Sequence, residues 1–130
     1  MPTDQTKRKE LWGRWAAALN ARDLTQAEEV ADEMCDQDYV LHSSGFRDFG
    51  RGPAAAKAFA LHVITTYSQI NLTVEDFFGE GDKTAMRTTV RITVAATGQR
   101  VTYPVLNIMR WDGDKIAERW ELAGPHEEQA

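Results

Sequence analysis

Residues 83–122, KTAMRTTVRITVAATGQRVTYPVLNIMRWDGDKIAERWEL, decide the fold. Over the first fourteen of them Met86, Thr88, Val90, Ile92 and Val94 alternate with Arg87, Thr89, Arg91 and Thr93, the period-two pattern of a half-buried strand. A turn at Thr97-Gly98 leads into a second strand, RVTYPVLNIMRW, and Asp112-Gly113 is a strong hairpin signal before a third, DKIAERWEL. With those two loops Val94 faces Val101, Ile92 faces Tyr103, Val90 faces Val105, Met109 faces Ile116 and Val105 faces Trp120, all on one face. A slip of one residue would undo the match. The same register sets Asn107 across from Thr88 and puts Glu121 opposite Pro104 on the other face. Pro104 cannot donate to a ladder, so it marks an edge position or a bulge, and a bulge would change which way the later side chains point.

Upstream, Leu72, Val74 and Phe77 belong to another strand, which ends at GEGD, residues 79–82. Before it the pattern is helical. Leu11, Trp12, Trp15, Ala16 and Leu19 recur at helical spacing between about Lys7 and Asn20. Asp23, with Gln26 three residues on, caps a second helix whose apolar stripe is Leu24, Ala27, Val30, Ala31 and Met34. DYVLHSS alternates weakly as a short strand or extended piece and opens into the loop GFRDFGRG. Gly52-Pro53 then starts a third helix, which runs to about Tyr67. Helix, helix, short strand, helix and four long strands make an α+β domain, with helices of the first half covering a curved antiparallel sheet. Residues 1–6 and 124–130 read as flexible ends of a single domain spanning 1–130.

The chain's 130 residues suffice for one core without a staple, and an apolar fraction of 42% is ordinary for a folded protein. Cys35 is the only cysteine, so neither an internal disulfide nor a cysteine-based metal site is expected. Fifteen basic against twenty acidic side chains give a net charge of −5. With no zinc-finger spacing, basic helix or RGG tract, nucleic acid is not an expected partner. The N-terminus lacks a secretory h-region, and Lys57 and His62 interrupt the most apolar stretch, AAAKAFALHVITTY. The expectation is a cytoplasmic protein with no membrane partner. No glycine fingerprint follows a first strand, and three scattered histidines form no metal spacing, so no cofactor and no metal are expected.

Four stretches, YVLHSSG (39–45), GRGPAAAKAF (50–59), LTVEDFFGEGDKTAMRTTVR (72–91) and ATGQRVTYPVLNIMRWDGDKIAERWE (96–121), together with the two first helices, cover nearly the whole chain. In order and spacing they resemble the SnoaL-like branch of the NTF2-like superfamily, the group that includes polyketide cyclases. The resemblance implies a cone-shaped fold, an alpha+beta barrel whose strongly bent sheet wraps a hydrophobic pocket closed by helices. It also implies a homodimer through sheet faces, for which the exposed second face with Leu106 and Ile108 gives an independent reason. In the cyclases of this family an aspartate just after the tryptophan of the last strand is the acid/base residue. The equivalent position here is Glu121, after Trp120, and its extra methylene moves the carboxylate by more than a bond length.

Glu121 works as a base if it sits in an apolar cavity; otherwise it is a solvated carboxylate or pairs with Arg119 or Arg91. His42, before a polar loop, either takes part in proton transfer or bonds the loop backbone. Asn107 orients a ligand oxygen or bonds to Thr88. Trp12, Trp15, Tyr39, Phe46, Phe59, Phe77, Tyr103 and Trp120 supply enough aromatic surface to line a pocket, though most serve equally as core. Tyr39 and Tyr103 are also oxyanion-donor candidates. With these residues, the resemblance implies a cofactor-independent, polyketide cyclase-like enzyme in which Glu121 removes a proton next to a carbonyl of a small apolar ligand. Epoxide hydrolysis and ketosteroid-type isomerisation are alternatives on the same scaffold. The epoxide hydrolases use Asp-Arg-Asp, for which the nearest sheet positions here are Asn107, Arg110 and Glu121. The remaining alternative is a non-catalytic small-ligand or dimeric interaction domain.

Overall fold

The computed structural model describes residues 4–44 and 48–129. Helix α1 (Asp4–Asn20) buries Leu11, Trp12, Trp15, Ala18 and Leu19 and leaves Glu10, Gly13 and Ala17 in water. Arg22 takes a left-handed φ of 54° at the end of this helix, and its guanidinium donates to the carbonyls of Ile64 and Tyr67 at 2.7 and 3.1 Å. Ile64 lies in the last turn of α3 (Gly52–Thr66) and Tyr67 is that helix's C-cap, so one residue turns the chain and caps a neighbouring helix. Helix α2 (Leu24–Met34) begins as expected: the Asp23 carboxylate accepts from the Gln26 N–H at 3.1 Å.

Five strands carry the rest of the frame: β1 (Cys35–Ser43), β2 (Tyr67–Glu80), β3 (Lys83–Val94), β4 (Arg100–Asp112) and β5 (Lys115–Ala123). A short β6 (Glu127–Gln129), within the segment read as a tail, pairs with Arg100–Thr102 of β4 beyond the end of β5. The sheet order is β1-β5-β4-β3-β2. Neighbours run antiparallel except β1, which lies parallel to β5.

This corrects the expected cone-shaped antiparallel sheet and the alpha+beta barrel. The sheet is mixed, and it is open rather than closed or strongly curled. Closure would need β1 to pair with β2, but they form its opposite edges, with α3 packed against β1 and α1 against β2. The α+β class and the three covering helices stand.

Two register details decide where side chains point. Between β3 and β4 the turn is wider than Thr97-Gly98, because the Val94 N–H donates to Gln99 O at 2.8 Å and the Gly98 N–H to Val94 O at 2.7 Å. Ile92 therefore faces Val101 and Val90 faces Tyr103, two residues from the expected pairing. A shift of two keeps every side chain on its face, so alternation cannot detect it. Thr88 now faces Val105, and Asn107 faces Met86.

In the next hairpin Asp112 pairs with Lys115 and Trp111 with Ile116, after which a bulge leaves Ala117 as the extra residue before Arg110 pairs with Glu118. One added residue reverses the facing of everything beyond it. Arg119 and Glu121 point inward and are buried, and Trp120 points outward opposite Ile108. The expected pairs Val105–Trp120 and Pro104–Glu121 are replaced by Ile108–Trp120 and Asn107–Glu121. The break lies at Ala117 rather than at Pro104.

Buried Arg8 of α1 ties the two turns together, donating to Gly81 O at 2.8 Å and Gly113 O at 3.1 Å with its guanidinium 5.6 Å from the Trp111 ring. Trp111 in turn donates its indole N–H to Thr84 Oγ1 at 2.9 Å. This clamp fixes the N-terminal helix across one end of the sheet.

Candidate active site

Between α1, α3 and the inner face of β2–β5 lies a cavity with a volume of about 60 Å³, lined chiefly by aromatic and aliphatic side chains. Trp12, Trp15 and Phe59 come down from the helices, and Ile70, Val90, Tyr103 and Val105 come up from the strands. This volume admits a few waters or the reacting end of a small molecule. Four polar side chains on the sheet also reach it: Thr88 of β3, Asn107 of β4, and Arg119 and Glu121 of β5.

Three of the four form one connected group. Arg119 Nη2 donates to Glu121 Oε2 at 2.6 Å, and its Nε donates to Asn107 Oδ1 at 2.9 Å. Both members of the ion pair are taken out of water, with side-chain exposures of 6% and 5%. A buried charge is tolerated only when paired and hydrogen-bonded, and this pair meets both conditions. The guanidinium also lies 4.8 Å from the Trp12 ring and 5.5 Å from Phe59, where the aromatic faces favour a cation. Burial opposes the charge on Arg119, but Glu121 and the Tyr39 hydroxyl outweigh it and hold the guanidinium above its ordinary pKa.

The bonding pattern fixes orientation. Because Asn107 Oδ1 accepts from Arg119, the amide presents its NH2 elsewhere, as a donor. Glu121 spends Oε2 on Arg119, which leaves Oε1 as the atom available to a guest. Burial raises the pKa of Tyr103, with Tyr67 and Glu121 adding to the effect, so its hydroxyl stays a proton-bearing donor. Tyr39 is buried behind Arg119, where loss of solvent pushes it up to about 12.

The sequence matches the SnoaL-like domain family over residues 12–119. The chain belongs to that family. It is therefore a SnoaL-like member of the NTF2-like superfamily, with relatives of the polyketide-cyclase type. No curated protein matches it.

Among solved structures, a SnoaL-like candidate polyketide cyclase from Jannaschia sp. CCS1 is similar with a TM-score of 0.79 at 15% identity, over 95% of this chain and 89% of that one. AclR of Streptomyces galilaeus, a candidate hydroxylase, gives 0.71 at 24% identity, over 92% and 80%. An epoxide hydrolase of M. tuberculosis, of the LEH-like type, gives 0.69 at 15% identity, over 94% and 86%. Three differently described activities on one architecture show that these likenesses establish the fold alone.

Of the residues singled out in this SnoaL-like sequence, the cavity brings together Glu121, Asn107, Trp12, Trp15, Phe59 and Tyr103. His42 and Trp120 lie on the opposite face of the sheet. Their rings stack at 5.6 Å, and His42 Nε2 meets Glu118 Oε2 at 2.7 Å. That contact, followed by Arg110, holds the Glu118 carboxyl below the usual carboxylate range. Phe46 lies outside the described residues.

The sequence offered Arg119 only as a pairing partner for a non-catalytic Glu121, and Arg110 as the nearest arginine to an Asp-Arg-Asp arrangement; in the structure Arg119 occupies the inner face and Arg110 bonds Glu118 on the outer one. The signal for Arg119 was opposite charges at 119 and 121, two residues apart and hence on one face, a usable hint only once the bulge is known. Among the described residues no three His, Cys, Asp or Glu side chains gather as metal ligands, and no helix is long and apolar enough to cross a membrane.

Proposed function

We propose that this chain is a cofactor-independent, polyketide cyclase-like enzyme that moves a proton at a carbon next to a carbonyl, with Glu121 as the base. The supporting observation is a carboxylate at the floor of an apolar cavity, held at 2.6 Å by a buried arginine that also aims an amide donor. In the proposed step a C–H bond of the guest breaks, the proton goes to Glu121 Oε1, and the electron pair moves onto the neighbouring carbonyl oxygen. The Asn107 NH2 and the Tyr103 hydroxyl are the donors for that oxyanion. The enolate then attacks a second carbonyl within the same molecule or takes its proton back at another carbon. Both outcomes return the proton from Glu121.

Arg119 acts as a positioning residue, its Nε committed to Asn107 and its Nη2 to Glu121. The aromatic walls exclude water and favour an activated, mostly apolar carbonyl compound. Epoxide opening is less well supported: the alkoxide it releases needs a proton donor, and at Asn107 an amide stands where a second carboxyl would be required. Exposed Leu106, Ile108, Trp120 and Leu122 on the outer face support a homodimer formed through that face.

The test is solvent deuterium exchange into 1,3-diketones, followed by NMR, for the natural protein and Glu121→Gln at a temperature where both are folded. The proposal expects at least a tenfold loss of exchange with binding retained. Unchanged exchange removes Glu121 from the chemistry. Binding without exchange in the natural protein favours a non-catalytic ligand-binding domain.

A further inference from the structure

We propose that Thr88 reads a second oxygen of the guest and so selects molecules carrying two oxygen functions over those with one; this rests on the cavity being the substrate site. Thr88 lines the cavity, and among the described residues its buried Oγ1 has no hydrogen-bond partner, although the residue is only 6% exposed. Such a group is a net cost to the folded state unless something satisfies it. The cause is visible in the pairing: the cross-strand neighbours of Thr88 are Val74 on β2 and Val105 on β4, neither of which offers a side-chain donor or acceptor. The nearby amide of Asn107 gives its acceptor oxygen to Arg119.

Distances set by the sheet decide what can bridge the site. Asn107 faces Met86, so Thr88 is its diagonal neighbour on the inner face, about 7–8 Å away between backbones and less between side chains. Two hydrogen bonds of about 2.8 Å each, one from the Asn107 NH2 and one from the Thr88 hydroxyl, leave only a short span between the two accepting oxygens. A guest whose two carbonyl carbons flank a single carbon, as in a 1,3-dione, fits that span. A monoketone held by Asn107 leaves the hydroxyl unsatisfied. Thr88 takes no part in moving the proton.

The experiment measures binding, so it does not depend on turnover. Pentane-2,4-dione and pentan-2-one are titrated into the natural protein, Thr88→Val and Thr88→Ser, with binding followed by saturation-transfer NMR. Valine keeps the shape and removes the hydroxyl, while serine keeps the hydroxyl. Thr88→Val is expected to weaken the dione by about fivefold to tenfold and to leave the monoketone within twofold, with Thr88→Ser close to the natural protein for both. Without ligand, Thr88→Val melts no lower than the natural protein, because it removes an unpartnered polar atom. Equal weakening of both ketones, or of neither, overturns the assignment to Thr88 and leaves the proposed role of Glu121 standing. A lower melting temperature for ligand-free Thr88→Val also overturns it, by showing that the hydroxyl has a partner in the protein. Failure of both ketones to bind the natural protein overturns the reading of the cavity as a substrate site, and this assignment with it.

Discussion

Replacing Arg119 with methionine, which approximates its length without charge or donors, strips the buried carboxylate of its counter-ion. In the folded protein Glu121 has 5% side-chain exposure and its Oε2 lies 2.6 Å from Arg119 Nη2. An uncompensated buried charge of this kind costs roughly 3–5 kcal/mol. Asn107 Oδ1 loses its donor at the same time, adding about 1 kcal/mol, and the packing of the guanidinium over Trp12 adds a similar amount. Arg119→Met is therefore expected to lose about 5–7 kcal/mol, a large part of the roughly 5–15 kcal/mol that holds a domain of this size folded.

Glu121→Gln alone leaves the arginine charged and buried, and it too is destabilising. The double variant, with neither charge, should be more stable than the two single losses added together, by about 2–3 kcal/mol. Urea unfolding at neutral pH, read by tryptophan fluorescence, measures all four proteins. Single losses below about 1 kcal/mol that simply add would refute a desolvated pair, because exposed ion pairs behave that way.

Tyr39 gives a pH test: its folded pKa is pushed up to about 12 from an ordinary 10, so the folded state holds the proton more tightly. Stability is then fully present below pH 10 and falls between pH 10 and 12, by about 2–3 kcal/mol for a two-unit shift, and Tyr39→Phe should flatten that fall in denaturant titrations. Gly52→Ala is expected to lower the melting temperature strongly, since φ is +75° and an added Cβ would sit 2.6 Å from Gln37 O, whereas Gly81→Ala, with φ +63° and open space, should cost only about 1 kcal/mol. Leu106→Glu together with Leu122→Glu should shift any dimer to monomer in light scattering and leave ligand binding in the cavity unchanged; both residues are exposed on the outer face.

How far the sequence could be read follows from what each feature leaves in the pattern. Helix α2 was legible because Asp23 and Gln26 announce its start and the Ala27, Val30, Ala31 and Met34 stripe its buried face. The inner faces of β3 and β4 were legible because alternation survives a shift of two residues. Glu121 entered the site through family resemblance, while the register drawn from the sequence pointed it outward. The bulge at Ala117 carries no signal of its own: it falls in KIAERWEL, where charged residues occur at both parities and neither facing is favoured. Without the bulge, Arg119 looks like surface charge and Trp120 like core. The parallel pairing of β1 with β5 was equally hidden, because DYVLHSS shows which residues are extended but not which edge receives them. The cone shape came from resemblance alone, and the open strand order overrules it.

The inward facing of Arg119 and Glu121 underlies both the proposed chemistry and the assignment to Thr88, and cross-strand nuclear Overhauser contacts between β4 and β5 test it most directly. The bulged register predicts contacts pairing Asn107 with Glu121 and Ile108 with Trp120. Contacts pairing Val105 with Trp120 and Pro104 with Glu121 would contradict it, turning the carboxylate to the outer face of the sheet.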